Sequence, residues 1–312
     1  MNQAFIVWII LSLIWGSTWI FIKLGLRDLP PITFAGIRFL IAAAILWLLI
    51  LWRRNAVPRK TGDWLMIAWT GFIAFALNYG LIFWGEQRIT SGLAAVLQST
   101  IPAFGLVIAH YHLPAERVTM RRLAGALLGI VGVALIFYDQ MKVEGSDALW
   151  GSVALVLSAF FVAYSNVLVK ARCQHIEPAA LAGGQMIFGL VPLLAVGAVW
   201  EGSPFSLQWT WLALGSLGYL ALIGSALAFL LYYWLVRKVD VTKTMLIALV
   251  TPIIALLIGV LTLGEKVTWR VAVGSAAILA GISLIVVQRR LRGAGSFTEV
   301  TDADNRDGHK RR

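Results

Sequence analysis

Glu116-Arg117-Val118-Thr119 returns later in the chain as Glu265-Lys266-Val267-Thr268. At the same spacing, Arg121, Gly125 and Gly132 recur as Arg270, Gly274 and Gly281. Upstream, Pro102 answers to Pro252 after a slip of one residue. A coincidence of this extent in one register points to two copies of one unit, and such duplication is the first thing to settle in a sequence. Each copy is a series of long apolar segments, so the fold question concerns a duplicated helical bundle.

The apolar excess names the solvent. The chain has 312 residues, of which 60% are hydrophobic and 13% charged. A soluble domain carries about 45–50% apolar and roughly 25% charged residues. The apolar residues gather in runs of roughly 20, the length that crosses a hydrocarbon layer about 30 Å thick. Ten such runs are expected, near 4–26, 33–52, 64–84, 91–112, 121–138, 149–170, 180–200, 209–234, 242–262 and 270–288. The fold class that follows is an all-α membrane protein with ten transmembrane helices. Five fall in a first repeat at 1–138 and five in a second at 149–288. A linker at 139–148 joins them, and a polar tail at 289–312 has the composition of disorder. The N-terminus enters an apolar run without a basic preamble, so it reads as a first spanning helix and not as a cleaved signal.

Net charge is +11. A basic chain invites a nucleic-acid reading. Here the lysines and arginines sit between apolar runs and in the tail, so no nucleic-acid partner is expected. Arg53, Arg54, Arg59, Lys60, Arg117, Arg121, Arg122, Lys170, Arg172, Arg237, Lys238 and Lys243 fall in one set of loops. Arg289, Arg290 and Arg292 join them in the tail. The alternate loops are poorer in basic residues and hold Asp139, Glu144, Asp147 and Glu201. The positive-inside rule then puts both termini in the cytoplasm, and the expected location is a bacterial cell (inner) membrane. Five helices per copy force Glu116 and Glu265 to opposite faces, so the copies are inverted. Inverted repeats are a signature of secondary transporters, with the solute site near the midplane between the copies. The Glu-basic-Val-Thr echoes then become helix-start signals in loops.

Several chemistries are excluded by what the sequence lacks. There is no G-x-x-x-x-G-K-[ST] loop for an ATP-driven motor and no H-E-x-x-H metal motif. Neither a cofactor nor a metal is expected. Cys173 is the one cysteine, so no disulfide framework exists within the chain. An enzyme of lipid-linked intermediates would need clustered carboxylates or histidines, and none is evident. A passive channel or a lipid-translocating protein is the alternative class. Saturable, gradient-coupled counterflow would separate a carrier from a channel.

Polar groups inside the apolar runs are the candidate site. Ser12, Gly16, Trp19 and Lys23 share one face of the first helix. Lys23 and Lys170 lie in register near helix ends, where snorkelling is the ordinary role of lysine and a cation rim is the functional one. Arg38 lies inside the second run, where a charge must reach the interface or find a partner. Tyr79 and Glu86 are seven apart and share a helical face. Glu86 is the strongest candidate to load and release a proton; the competing role is a hydrated carboxylate paired with Arg88. Gln98, Pro102 and Gly105 form a stripe in the fourth run, and Thr244, Ala248, Thr251, Ala255 and Gly259 form one in the ninth, beside Pro252. Proline frees a backbone carbonyl and small residues admit a ligand or another backbone, so Pro102 and Pro252 are candidate hinges. Gly125, Gly129, Gly132, Gly274 and Gly281 read as packing seams. Tyr164, Ser165 and Asn166 in the sixth run, and Ser225, Phe229 and Tyr232 in the eighth, suit an amphipathic organic solute.

Trp15-Gly16-Ser17-Thr18, Pro30-Pro31 with Ala35-Gly36-Ile37-Arg38-Phe39, and Glu86 before Thr90-Ser91-Gly92-Leu93-Ala94-Ala95 resemble the EamA-type members of the drug/metabolite transporter superfamily. Pro102, Pro252 and the two Glu-basic-Val-Thr echoes belong to the same resemblance, which covers about residues 4–288. It implies a ten-helix basket that exports amino acids, small metabolites or drugs, often with the proton gradient. It also implies a cavity lined by the first, third, fourth, sixth, eighth and ninth helices. Carried over residue by residue, it places Trp15, Ser17, Tyr79, Gln98, Tyr164, Asn166, Ser225, Tyr232 and Thr251 on cavity-facing helices. Glu86, Arg38 and Lys23 are its coupling or gating candidates. The second copy lacks the Trp-Gly-Ser-Thr run and a glutamate matching Glu86. The expected partners are a small-molecule substrate, the lipid bilayer and protons, with a homo-oligomer left open.

Overall fold

The computed structural model describes residues 3–54, 56–112, 119–143, 146–203, 207–238 and 247–286. Glu116, Arg117 and Val118, Lys243 and Thr244, part of the expected linker and the tail lie outside the described residues. Among the described residues the regular structure is helical. Helix α1 runs Gln3–Gly25 and α2 Pro31–Arg53. Helix α3, Thr61–Gly71, passes through a π-helical stretch at Phe72–Leu77 into α4, Asn78–Glu86. Helices α5, Ser91–Gln98, and α6, Ile101–His112, are two parts of one crossing. Then come α7, Met120–Val143, α8, Ser146–Arg172, and α9, Pro178–Trp200. Helix α10, Trp211–Ala221, passes through a second π-helical stretch, Leu222–Leu227, into α11, Ala228–Lys238. Helices α12, Ile247–Leu263, and α13, Trp269–Val286, complete the described chain.

Seven helical runs are long and apolar enough to cross a membrane among the described residues: Gln3–Gly25, Pro31–Arg53, Thr61–Glu86, Ser91–His112, Ser146–Arg172, Pro178–Trp200 and Trp211–Lys238. At a rise of about 1.5 Å per residue, helices of this length match the hydrocarbon core. Two shorter apolar helices cover Val250–Leu263 and Trp269–Leu284. Large apolar side chains such as Leu48, Leu51, Leu65 and Val191 face outward, as they do where lipid is the solvent. The protein is a multi-pass membrane protein.

Helix ends are closed by residues distant in sequence. Pro31 and Pro178 occupy first helical turns, where the missing N–H costs nothing. The Glu201 carboxylate accepts from the Ile32 and Thr33 backbone N–H groups at 2.9 and 2.7 Å, closing the start of α2. The Glu265 carboxylate accepts from Ser91 N–H at 2.8 Å, Ser91 Oγ at 2.7 Å and Gly92 N–H at 3.1 Å. The second Glu-basic-Val-Thr sequence thus divides its work. Thr268 accepts from Val271 N–H within its own helix, while Glu265 caps α5. An expectation that the whole motif starts its own helix is corrected here: the glutamate starts another.

Small residues set the closest packing. Helices α7 and α13 cross where a Cβ on Gly132 would lie 2.5 Å from the Gly274 carbonyl oxygen. Helices α2 and α9 meet where a Cβ on Gly197 would lie 3.2 Å from the Thr33 nitrogen. Helix α1 packs along α12, and Gly16 receives the Ile254 side chain. A buried polar chain ties α3, α8, α9 and α11 together. Ser165 Oγ donates to the Thr70 carbonyl at 3.0 Å, Gln185 Nε2 to Thr70 Oγ1 at 2.8 Å, and Tyr233 OH to Gln185 Oε1 at 2.6 Å. Satisfied in this way, the buried polar groups fix helix register at little cost.

Candidate functional site

A cavity of about 240 Å³ lies between the helices. Its wall takes Trp15 and Thr18 from α1, Arg38 from α2, Asn78 and Tyr79 from α4, and Gln98 from α5. Asn166 and Lys170 come from α8, Phe229 and Tyr232 from α11, and Thr251 from α12. The wall is mostly apolar, with a few convergent polar groups, the general makeup of an organic-solute site.

One side of the wall is aromatic. Trp15 lies 5.2 Å from Tyr232 and 6.0 Å from Phe229, centroid to centroid. Phe229 continues to Phe75 at 5.0 Å, and Phe75 to Tyr79 at 5.9 Å. The Arg38 guanidinium lies 5.0 Å from the centroid of Tyr79 and 5.2 Å from that of Phe39, within range of cation–π attraction. The other side is a line of amides. Ser158 Oγ donates to Gln98 Oε1 at 3.0 Å, Gln98 Nε2 to Asn78 Oδ1 at 3.1 Å, and Asn78 Nδ2 to the Ala74 carbonyl at 3.0 Å. That last carbonyl belongs to the first π-helical stretch, where the widened turn leaves backbone groups for side chains to satisfy.

The second π-helical stretch does the same for Arg38. Its Nε donates to Ser225 Oγ at 2.7 Å and its Nη2 to the Gly224 carbonyl at 3.2 Å. Arg38 is 1% exposed. It does not reach the interface; it is held within the bundle. A π-helical stretch at 72–77 and another at 222–227 thus each accept hydrogen bonds from a residue of the cavity wall. Neither could be read from periodicity.

Trp15, Arg38, Tyr79, Gln98, Asn166, Tyr232, Thr251, Pro102 and Pro252 all line the cavity. Ser17 and Tyr164 do not, for one geometric reason. Successive helical residues advance about 100°, so residues two apart face nearly opposite ways. With Trp15 on the cavity, Ser17 faces α10 and shares a 2.6 Å hydrogen bond with Tyr219 OH. With Asn166 on the cavity, Tyr164 packs edge-on against His112, 5.9 Å away. Ser225 is fully buried behind the wall, where it holds Arg38. The two prolines differ as well. Helix α5 ends at Gln98 and α6 restarts at Ile101, just before Pro102. Helix α12 runs through Pro252 unbroken.

Glu86 is 0% exposed, and neither carboxylate oxygen has a hydrogen-bond partner among the described residues. It is not a hydrated carboxylate paired with Arg88: Arg88 lies 3.7 Å over the Trp84 ring and donates to the Trp84 carbonyl. Lys23, Glu265 and Arg38 are the charged groups in electrostatic reach of Glu86. Lys23 Nζ donates to the main-chain carbonyls of Glu86 and Ile89, so it closes the end of α4. Lys23 and Glu265 also border a second recess with Arg27, Gln87 and Thr90. Asn78, Thr18 and Ser158 are the polar groups of the site that the sequence reading passed over; an isolated amide or hydroxyl within an apolar run was the available signal.

Membrane-crossing helices gathered around a cavity, with amides and one held guanidinium on its wall, are the architecture of a membrane transporter. The chain belongs to the EamA-like transporter family, whose model matches residues 3–138 and again 149–287. It is 30% identical over 275 residues to the uncharacterized transporter YoaV of Bacillus subtilis (strain 168), covering 87% of this chain and 92% of that one. It is 30% identical over 271 residues to the uncharacterized inner membrane transporter YedA of Escherichia coli (strain K12), covering 83% of each. A chloroplastic WAT1-related protein of Arabidopsis thaliana is 27% identical over 291 residues, covering 90% of this chain and 70% of that one. A solved crystal structure of another protein shares the fold with a TM-score of 0.67 and 18% identity, covering 93% of this chain and 99% of that one.

Proposed function

We propose that this transporter is a secondary carrier that exports a small organic metabolite by alternating access, coupled to protons through Glu86. The ten expected spans form two five-helix halves of opposite orientation, with both termini in the cytoplasm of a bacterial cell and the spans in its inner membrane. The observation that carries the reading is the cavity between α1, α4, α5, α8, α11 and α12, to which both halves contribute walls. One feature supports duplication, and a second a twofold relation between the halves. The π-helical stretches recur at matching places in the two halves. Helix α1 of the first half packs on α12 of the second, while α6 of the first packs on α8 of the second. Such swapped pairing suits two halves rocking about a site between them.

Glu86 suits a proton carrier because it is buried without hydrogen-bond partners among the described residues, and a buried carboxylate without hydrogen bonds is costly to ionise. Protonation removes that cost, and hydration of the carboxyl in the alternate state lets the proton leave. The test is solute flux into proteoliposomes under an imposed pH gradient, over a panel of amino acids and amphipathic ions. Saturable, gradient-driven flux with counterflow is expected. Absence of flux across the panel would overturn the reading, and flux without counterflow would make the protein a channel.

A further inference from the structure

We propose that the cavity takes an amphipathic organic anion, its carboxylate bound to Arg38 and its apolar body against the aromatic wall; the inference rests on the cavity being the transport site. Arg38 and Lys170 are the charged residues on the cavity wall among the described residues. No described aspartate or glutamate lines it, and no described carboxylate lies within ion-pair distance of Arg38. Two of the three guanidinium nitrogens are held by Ser225 and Gly224. The third, Nη1, is buried and makes no hydrogen bond of normal geometry among the described residues, with the Tyr79 side chain as its polar neighbour. Glu86 lies in electrostatic reach of Arg38 but makes no ion-pair contact with it, and a buried guanidinium without a carboxylate in contact is expensive to maintain. A bound carboxylate would fill the vacant donor and offset the charge, in a geometry for which guanidinium is well suited.

A further observation has the same polarity. The Trp15 indole N–H is a second buried donor without a partner, on the same wall. An indole nitrogen only donates. An organic cation would meet Arg38 with repulsion and leave both donors vacant.

The test uses the intact protein in lipid nanodiscs. Binding is measured for matched triplets that share a skeleton: 3-phenylpropanoate, 3-phenylpropanamide and 3-phenylpropylamine, then the corresponding indolyl and branched-alkyl sets. A charge-assisted hydrogen bond predicts that the carboxylate binds about 10- to 100-fold tighter than its amide, with the amine weakest. Arg38→Gln should lower carboxylate affinity by that factor and leave the amide within about threefold; if Arg38→Gln does not fold, the triplets on the unmodified protein decide. Amides or amines binding as well as carboxylates would overturn the anion assignment and leave the transporter reading standing. If no member of any charge binds, the cavity is not a solute site and both readings fall.

Discussion

Lys23 Nζ donates to the main-chain carbonyl of Glu86 at 2.8 Å, while both oxygens of the Glu86 side chain have no hydrogen-bond partner among the described residues. The same ammonium donates to the Ile89 carbonyl at 2.6 Å. A cation at a helix C-terminus satisfies carbonyls that lack intrahelical donors and complements the helix dipole. Lys23 thus holds a helix end while also lying in electrostatic reach of Glu86. Lys23→Met should lower stability by about 1–3 kcal/mol, the range for hydrogen bonds to a charged donor. The measurement is the unfolding midpoint of the purified protein. Flux per folded molecule should keep its dependence on the pH gradient; loss of that dependence would put Lys23 in the coupling machinery.

Glu86→Gln makes the complementary prediction. The side chain keeps its size, and no hydrogen bond among the described residues is broken, because none is made. The fold should persist. Glutamine cannot load a proton, so uptake driven by an imposed pH gradient should fall to background while solute counterflow at equal pH continues. Coupled uptake surviving the substitution would remove Glu86 from the proton path, leaving Lys23, Arg38 and Glu265 as the other charged groups of that neighbourhood.

Span length and the membrane environment were legible because they depend on composition and on runs of about 20 residues. The site was legible only in part. A polar residue in an apolar run marks a helix as functional, but it does not say which way the residue points. Trp15 and Ser17, and Tyr164 and Asn166, share cavity-facing helices, yet residues two apart diverge by about 200° around a helix. The π-helical stretches at 72–77 and 222–227 were invisible for a different reason. They are sustained partly by side chains from elsewhere, such as Arg38 on Gly224, and no local period records that. Glu265 was equally hidden: its partners, Ser91 and Gly92, lie far away in sequence.

Those long-range caps can be tested directly. Glu265 accepts three hydrogen bonds at the start of α5 and Glu201 accepts two at the start of α2. A glutamine offers one oxygen and turns an NH₂ toward N–H donors. Glu265→Gln and Glu201→Gln should each cost about 1–2 kcal/mol, the range for loss of a helix N-cap. Thermal unfolding in detergent reads this out. A midpoint unchanged within error for both variants would mean that these carboxylates are not holding the helix ends.

The glycines of α7 provide a sharper contrast, because the sequence treats Gly129 and Gly132 alike and the structure does not. A Cβ at Gly132 would lie 2.5 Å from the Gly274 carbonyl oxygen and 3.0 Å from the Ile278 nitrogen. Both obstacles are backbone, so the helices themselves would have to separate. Gly281, on the facing helix, meets the Gly125 carbonyl in the same way. A Cβ at Gly129 would meet nothing within 4 Å. Gly132→Ala should therefore destabilise the α7–α13 seam by about 1–3 kcal/mol, the usual cost of overpacking. Gly129→Ala should be neutral or stabilising by up to about 1 kcal/mol, because alanine is the better helix former. Unfolding midpoints of the two variants, measured side by side, decide the matter. Equal destabilisation by both would mean that helix flexibility, and not close approach, explains the glycines. Equal tolerance of both would mean that the helices do not pack with Gly132 against Gly274.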